Sequence, residues 1–326
     1  MKAIIYTNYG PPEVLHLKEL EKPVPGNNEV RIKVHAVEAT KSDCEMRSFH
    51  FPVKWFWLPL RVAMGILKPK RQILGGYFAG EVEDFGKDVS KFKKGEPVFG
   101  CTRLRLGAYG EYMCLPDDYT IVPKPHNITY EEAAAVPLGG LNALHFLRKA
   151  QIQKGEKVLI NGAGGSIGTF GVQIAKRMGA EVTAVDSAIK EGMLLQIGAD
   201  HFVDYNKEDF TESGQSYDVI LNMVASRSYS ACLKSLNPGG RYLMANPRLS
   251  GMIRSFLTAT FTDKKAIFAF AGEKEEELLA LKEMIEEGTI KPIVNRIYPL
   301  EQTALAHERV EKEERLGTIV ISVTES

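Results

Sequence analysis

Residues 157 to 186, KVLINGAGGSIGTFGVQIAKRMGAEVTAVD, constrain the fold more than any other stretch of the chain. Lys157 to Ile160 is short, β-branched and apolar, Thr169 to Met178 has helical spacing, and Val182 to Val185 is apolar again. The order is strand, glycine-rich turn, helix, strand. Gly162, Gly164, Gly165 and Gly168 crowd the turn as GAGGSIG. A strict GxGxxG ending at Gly168 would begin at Ala163, so the pattern alone is weak and its place between strand and helix carries the reading. A helix that begins directly after a strand presents free backbone N–H groups and its positive dipole end. Glycines let a pyrophosphate approach that end without a Cβ in the way. Gly162, Ala163, Gly164, Gly165, Ser166, Ile167 and Gly168 are therefore candidate cofactor-binding residues. Asp186 closes the next strand, where an acidic side chain takes adenosine ribose hydroxyls. Lys190 and Tyr205 lie just past the following strand ends and are candidates for a 2′-phosphate, which Asp186 would repel. The carboxylate leans towards NAD(H), with NADP(H) left open. The alternative is that the glycines serve only a tight turn and close helix-to-strand packing.

Strand candidates continue at 201–204, 217–222 and 240–245, separated by helical stretches. Such alternation implies a parallel, doubly wound sheet, because each parallel pair needs a crossover helix. Upstream, from Met1 to about Lys124, Pro and Gly punctuate short alternating runs such as EVRIKVHAV (29–37) and GEYMCLP (110–116), the pattern of a β-rich, barrel-like unit. Thr129, followed by Glu131 and Glu132, starts a helix. The region 248–272 reads either as a helix and an edge strand or as an interface strand between two copies. KEEELLALKEMIEEGTIKP is an amphipathic helix stopped by Gly288 and Pro292, and LGTIVISV (316–323) is an apolar strand. The expected division is 1–124 and 271–326 in one β-rich domain, with 125–270 inserted as a nucleotide-type domain.

The chain has 326 residues, with 41 basic and 41 acidic side chains. A net charge of zero lacks the electrostatic footprint that nucleic acid or an anionic membrane demands, so a small-molecule partner is expected. Cys44, Cys101, Cys114 and Cys232 lie far apart with no CxxC pair, as reduced thiols of a cytoplasmic protein would. FPVKWFWLPLRVAMGILKP (51–69) is the nearest approach to a spanning segment, but Lys54, Arg61 and its prolines read as a buried or substrate-facing stretch. The histidines show no paired spacing.

Over nearly its whole length the chain resembles the medium-chain dehydrogenase/reductase superfamily, in its zinc-free quinone oxidoreductase-like branch. The resemblance rests on MKAIIYTNYGPPEVLHLKELEKPVPGNNEVRIKVHAV, GYFAGEVEDFGKDVSKFKKGEPVFG, GAYGEYMCLPDD, AAAVPLGGLNALHFL, VLINGAGGSIGTFGVQIAK and IGADHFVDYNKEDF, with the C-terminal GTIKPIVNRIYPLEQTALAHERVEKEERLGTIVISV. It implies an α/β fold with a GroES-like β-rich catalytic domain plus a Rossmann domain with a doubly wound parallel sheet, and an active-site cleft at their junction. It also implies hydride transfer between NAD(P)H and a carbonyl, alcohol or conjugated double bond, and a homodimer.

Zinc-dependent relatives carry a Cys followed by an Asp, then a Gly-His-Glu motif; here those positions read Thr40 and Asp43, then Gly75, Gly76 and Tyr77. An open catalytic zinc site needs about three protein ligands, so no metal is expected. Substrate polarisation then falls to hydrogen-bond donors, water or solvent protons, which suits quinones and enones. Thr40 and Tyr77 stand where relatives carry Asn and an acidic residue, and both keep a hydroxyl that makes them candidate catalytic residues. Asn142, which the resemblance puts near the nicotinamide ribose, and Asn222, Met223 and Asn246, at strand ends where open α/β sheets bind ligands, complete the cofactor-binding candidates. Alternatives are a zinc-free alcohol or aldehyde dehydrogenase, an enoyl-thioester reductase, or a nucleotide-binding regulatory protein without turnover.

Overall fold

The computed structural model describes residues 1–51, 56–224, 226–246, 248–268 and 272–324. The first stretch supplies β1 (Lys2–Ile5), β2 (His16–Glu19), β3 (Glu29–Ala39), α1 (Lys41–Ser48), α2 (Trp57–Met64), β4 (Tyr77–Phe85), β5 (Pro97–Cys101), β6 (Tyr112–Pro116) and β7 (Ile121–Pro123). Strict alternation in β3 buries Val30, Ile32, Val34 and Ala36 against the core while Arg31, Lys33 and His35 stay half-buried. Residues 52–55 of the aromatic stretch lie outside the described residues. α1 starts at Thr40 and Asp43, whose side chains and backbone N–H groups bond reciprocally.

Next come α3 (Tyr130–Ala134), α4 (Pro137–Ala150), β8 (Lys157–Asn161), α5 (Ser166–Arg177), β9 (Glu181–Asp186), α6 (Glu191–Gln196), β10 (His201–Asp204), β11 (Tyr217–Asn222), α7 (Tyr229–Lys234), β12 (Leu236–Met244), α8 (Leu249–Phe261) and β13 (Lys265–Phe268). Thr129 caps α3, with Glu132 completing the reciprocal pair. Among the described residues β8 to β13 form a six-stranded parallel sheet in the order β10-β9-β8-β11-β12-β13. The order reverses between β8 and β11, which opens a crevice above their C-terminal ends. β12 begins at Leu236, four residues before the sequence reading, because a register shift opposite Tyr217 to Val219 absorbs Pro238, Gly239 and Gly240 within the strand. The ambiguous region resolves into α8 followed by β13 at the sheet edge.

The chain then runs through α9 (Glu275–Glu286), β14 (Val294–Pro299), α10 (Thr303–Glu311) and β15 (Thr318–Ser322). Leu278, Leu281 and Ile285 of α9 join one core with Leu141, Leu144 and Phe170. β14 and β15 return to the first sheet, whose order is β14-β15-β3-β4-β5-β7 with β6 also on β3. β15 is antiparallel to β3, placing the last strand beside the one that leads to Thr40.

A buried polar chain ties the two chain ends together. Arg47 Nη1 donates to His307 Nδ1 at 3.0 Å, so the His307 proton sits on Nε2 and is donated to the Tyr109 oxygen at 2.9 Å. Burial, reinforced by Arg47, pushes the His307 imidazole down to about 3 and keeps it neutral. Arg47 also reaches Glu311 and the Gly10 carbonyl. Arg47 lies on α1, His307 and Glu311 on α10, Tyr109 in the loop before β6 and Gly10 between β1 and β2, so the network fixes where the β3–α1 corner stands relative to the C-terminal return.

Candidate functional site

A cleft of about 1190 Å³ runs along the C-terminal ends of β8, β9, β11 and β12, walled on its other side by α1 and the segment before β15. Its floor is the glycine turn. Gly162 has φ +89°, and the N–H groups of Gly162 and Ala163 both donate to the Val185 carbonyl, which clamps the turn to β9. Gly165 precedes α5 in extended conformation, and no side chain caps that helix. The first-turn N–H groups are thus left for a ligand. A Cβ on Gly168 would stand 2.4 Å from the Gly162 oxygen and 2.5 Å from the Ala163 backbone, so only glycine lets α5 start this close to the turn. Gly162, Gly165, Ser166, Ile167 and Gly168 line the cleft.

Asp186 and Lys190 are both buried and form one unit. Asp186 Oδ2 accepts the Gly164 N–H at 2.7 Å, and Oδ1 accepts the Ser187 N–H at 2.9 Å and Lys190 Nζ at 2.8 Å. The carboxylate that reads from the sequence as a free acceptor is therefore already shared with the turn, and its charge is compensated. Its repulsion of a 2′-phosphate, expected from the sequence, is correspondingly reduced. Tyr205 is half exposed and lines the same end of the cleft.

At the other end Asn222, Met223 and Asn246 lie together. Asn161 Nδ2 donates to Asn222 Oδ1 at 2.8 Å, Asn222 Nδ2 donates to the Tyr242 hydroxyl oxygen at 2.8 Å, and Asn246 Nδ2 donates to the Met223 carbonyl at 3.0 Å. These bonds tie the C-terminal ends of β8, β11 and β12 to one another at the crevice. Asn161 is a participant that sequence reading missed, although its place at the end of the strand before the glycine turn is a usable signal.

Thr40, Tyr77 and Asn142 do not line this cleft. The Thr40 hydroxyl, buried, donates to Asp43 Oδ2 at 2.6 Å and accepts the Asp43 N–H at 3.0 Å, so it serves as the cap of α1. Tyr77 hydrogen-bonds the Glu273 carboxylate, and burial foremost, with Glu273 adding, holds its phenol well above the usual range. Asn142 Nδ2 donates one turn back to the Leu138 carbonyl at 2.9 Å, while Leu138 itself faces the cleft.

Glu38, unnoticed in the sequence, is fully buried at the end of β3 and accepts the Ser166 hydroxyl on Oε1 at 2.8 Å; its Oε2 is buried without a hydrogen-bond partner. Burial pushes its carboxyl up to about 8, opposed by the Ser166 hydrogen bond and by Arg315 and reinforced by Asp43. A charged residue at an inward position of the otherwise apolar HAVEA run is the signal that could have found it.

Among the described residues the donors do not compose a zinc site. Among the described residues no group of three or more His, Cys, Asp and Glu side chains is arranged to hold a metal. Thr40 is spent on its cap, and the Cys44 thiol is buried against the His307 carbonyl. The same set fits a dinucleotide, since the uncapped α5 N-terminus, the close glycine turn and the Asp186–Lys190 pair succeed one another along one trough. The described residues also contain no helix long and apolar enough to cross a membrane.

Residues 26–126 match the alcohol dehydrogenase GroES-like domain family, and residues 197–321 match a family described as zinc-binding dehydrogenase. The chain is 33% identical over 326 residues to the quinone oxidoreductase of Sus scrofa, covering 95% of this chain and 94% of that protein. The structure of the quinone oxidoreductase from Coxiella burnetii superposes with a TM-score of 0.88 at 27% identity, over 99% of each chain. An NAD-dependent alcohol dehydrogenase structure superposes with a TM-score of 0.85 at 27% identity, over 99% of this chain and 100% of that one. Such likeness over the full length, on a fold whose cleft already has the shape of a dinucleotide trough, makes the chain an oxidoreductase that binds NAD(P)H, and it belongs to the quinone oxidoreductase-like branch of the medium-chain dehydrogenase/reductase superfamily.

Proposed function

We propose that this protein reduces quinones, enones or other activated carbonyl compounds with NAD(P)H and without a metal. The observation that carries the reading is the uncapped α5 N-terminus in a cleft at the point where strand order reverses, in a chain whose described residues assemble no zinc ligand set. When bound, the reduced nicotinamide supplies the hydride, two electrons and one proton, that the substrate carbon accepts. The N–H groups of the first turn of α5, which the turn Gly162 to Gly168 brings into the cleft, hold the pyrophosphate, Asp186 and Lys190 meet the adenosine ribose, and Asn222, Met223 and Asn246 shape the half of the trough nearer the substrate. The second proton reaches the substrate oxygen or carbon from solvent, because the Thr40 and Tyr77 hydroxyls are engaged by Asp43 and Glu273. An acceptor whose added charge is delocalised needs no stronger polarising group than that.

The test is separate titration with NADH and NADPH, followed by absorbance loss on adding a simple quinone in the presence of a chelator. Turnover that survives the chelator is expected. Loss of turnover with chelator overturns the metal-independent reading, and binding without turnover on any quinone or enone points to a nucleotide-binding regulatory role. The likeness to an alcohol dehydrogenase structure supports a second reading, oxidation or reduction of alcohols and aldehydes, which the same panel separates.

We also propose a cytoplasmic homodimer. Among the described residues the outer edge of β13 has no strand partner, and Ile253, Phe256, Leu257 and Phe261 of the neighbouring α8 are exposed. Sedimentation at micromolar concentration checks it, and a monomer there would sink it.

A further inference from the structure

The start of α5 is held from the other domain by an acid. Glu38, near the end of β3, is fully buried, and its Oε1 accepts the Ser166 hydroxyl at 2.8 Å. The Ser166 oxygen in turn accepts the hydroxyl of Thr318, on β15, at 3.4 Å. Ser166 is the first residue of α5 and lines the cleft. One residue thus belongs both to the cleft and to the buried hydrogen-bonded chain behind it.

The surroundings of Glu38 select its uncharged form. Oε2 is buried with no hydrogen-bond partner, and among the described residues no ion pair reaches the carboxyl. A carboxylate there would have one donor for two oxygens and no adjoining counter-charge, and a buried acid so placed takes up a proton instead. Burial foremost pushes the Glu38 carboxyl up to about 8; the Ser166 hydrogen bond and Arg315, before β15, oppose the shift, and Asp43 of α1 reinforces it. The other titratable neighbours, Tyr77 of β4, Cys101 of β5 and Tyr109 before β6, are themselves kept neutral by burial.

Resting on the reading of the α5 start as the dinucleotide site, we infer that Glu38 is a positioning residue that couples cofactor binding to one proton: as the neutral acid it holds Ser166 for the ligand, and as the anion it weakens the site. A dinucleotide brings its diphosphate charge to the helix that starts at Ser166. Neutral Glu38 leaves the positive end of that helix uncontested, whereas ionised Glu38 sets a like charge against the ligand in a low-dielectric interior. By linkage the bound ligand favours the acid, so the carboxyl rises further in the complex. Molecules ionised beforehand then take one proton from solvent onto Glu38 as they bind, and affinity falls as pH rises between the free and bound values. A glutamine could accept the same Ser166 hydrogen bond with no such dependence, and that separates the proton from the bond.

The experiment measures the affinity of the full chain for NADH and ADP-ribose by calorimetry between about pH 7.5 and 9.5, in the native protein, E38Q and S166A. Proton uptake is read from the heats in buffers of different ionisation enthalpy. The native protein is expected to lose roughly 5- to 10-fold in affinity across this range and to take up protons on binding near its acidic end. E38Q should match the native affinity at the acidic end, hold it within about twofold to the basic end, and lose the uptake. S166A removes the bond that favours the anion, so the midpoint of the loss should move to higher pH. Glu45, in the cleft wall and pushed up to about 7 by burial, titrates at lower pH and is present in both variants, so the difference between proteins reports Glu38 alone. An E38Q profile parallel to the native one overturns the inference, and so does a large loss in E38Q already at the acidic end, which would make the charged form the working one. If E38Q does not fold, the native protein and S166A decide: uptake with an upward shift supports the coupling, and no uptake or an unmoved midpoint removes it. Failure of the native protein to bind either ligand at any pH would instead overturn the cofactor reading.

Discussion

The two walls of the cleft are built on different principles. On the nucleotide side, the glycine turn Gly162 to Gly168 brings the uncapped first turn of α5 to the cleft, and one short-range pair, Asp186 with Lys190, finishes the wall. On the opposite side, Lys41, Glu45, Glu313 and Arg315 come from chain segments more than 250 residues apart, and their placement depends on β15 lying against β3 and on the buried chain from Arg47 through His307 to Tyr109. The first wall is a local device whose geometry is enforced by the absence of Cβ atoms. The second is an assembled one, where side-chain identity matters and each position is set by packing elsewhere.

If that contrast is right, a single methyl group should be the most damaging change on the nucleotide wall. Gly168→Ala puts a Cβ 2.4 Å from the Gly162 oxygen, so the turn must open; folding stability is expected to fall by about 1–3 kcal/mol, and NAD(P)H binding in a fluorescence titration to drop by more than 100-fold. Retained nanomolar or micromolar binding would show that the turn is less rigid than its contacts require.

The assembled wall predicts a different sensitivity, to pH. The His307 imidazole is held near 3, below the value of about 6.5 it has in an unfolded chain. Between those two values the unfolded chain binds the additional proton, so stability falls as pH drops through this window and is recovered above about pH 6.5. The expected slope from this group is on the order of 1.4 kcal/mol per pH unit. His307→Gln should be less stable at pH 7 yet show a flatter melting-temperature profile between pH 4 and 6.5; an unchanged profile would remove His307 from the argument.

Lys190→Ala tests the finishing pair. Removing the ammonium leaves Asp186 buried and uncompensated, and NADPH affinity is expected to fall about 10-fold with a smaller change for NADH. The reverse order would mean that Asp186 serves the ribose directly and that Lys190 only tempers it. The smallest expected effect is that of Thr40→Val, which removes the cap of α1 and should cost about 1 kcal/mol with kcat changed by less than threefold. A loss of kcat beyond 100-fold at an unchanged melting temperature would reassign Thr40 as a catalytic residue and erase much of the contrast between the walls.

The same contrast explains what could be read in advance. The cofactor candidates between Gly162 and Asp186 come from a strand, a turn and a helix that are contiguous in sequence, and periodicity with glycine spacing reports such units directly. Asn142 was placed by resemblance alone, and its amide turns back to the Leu138 carbonyl. Thr40 and Tyr77 were picked for their hydroxyls, and a hydroxyl's availability depends on neighbours: Asp43, three residues on, and Glu273, almost two hundred away. β12 begins at Leu236, ahead of the strand expected at 240–245, because a shift in pairing keeps Pro238 and Gly239 inside the strand.

The sequence by itself determined the parallel sheet, the crossover helices, the last apolar strand and the glycine turn, because each follows from the periodicity of apolar residues or from backbone freedom over a few positions. Only the tertiary structure decided that Asp186 is compensated by Lys190, that Glu38 is buried and bonded to Ser166, and that Arg315 lines the cleft with its Nε buried and without a hydrogen-bond partner. Charge states and free hydrogen-bonding groups are properties of an environment, and that environment exists only after segments distant in the chain have been brought to within a few ångströms of one another.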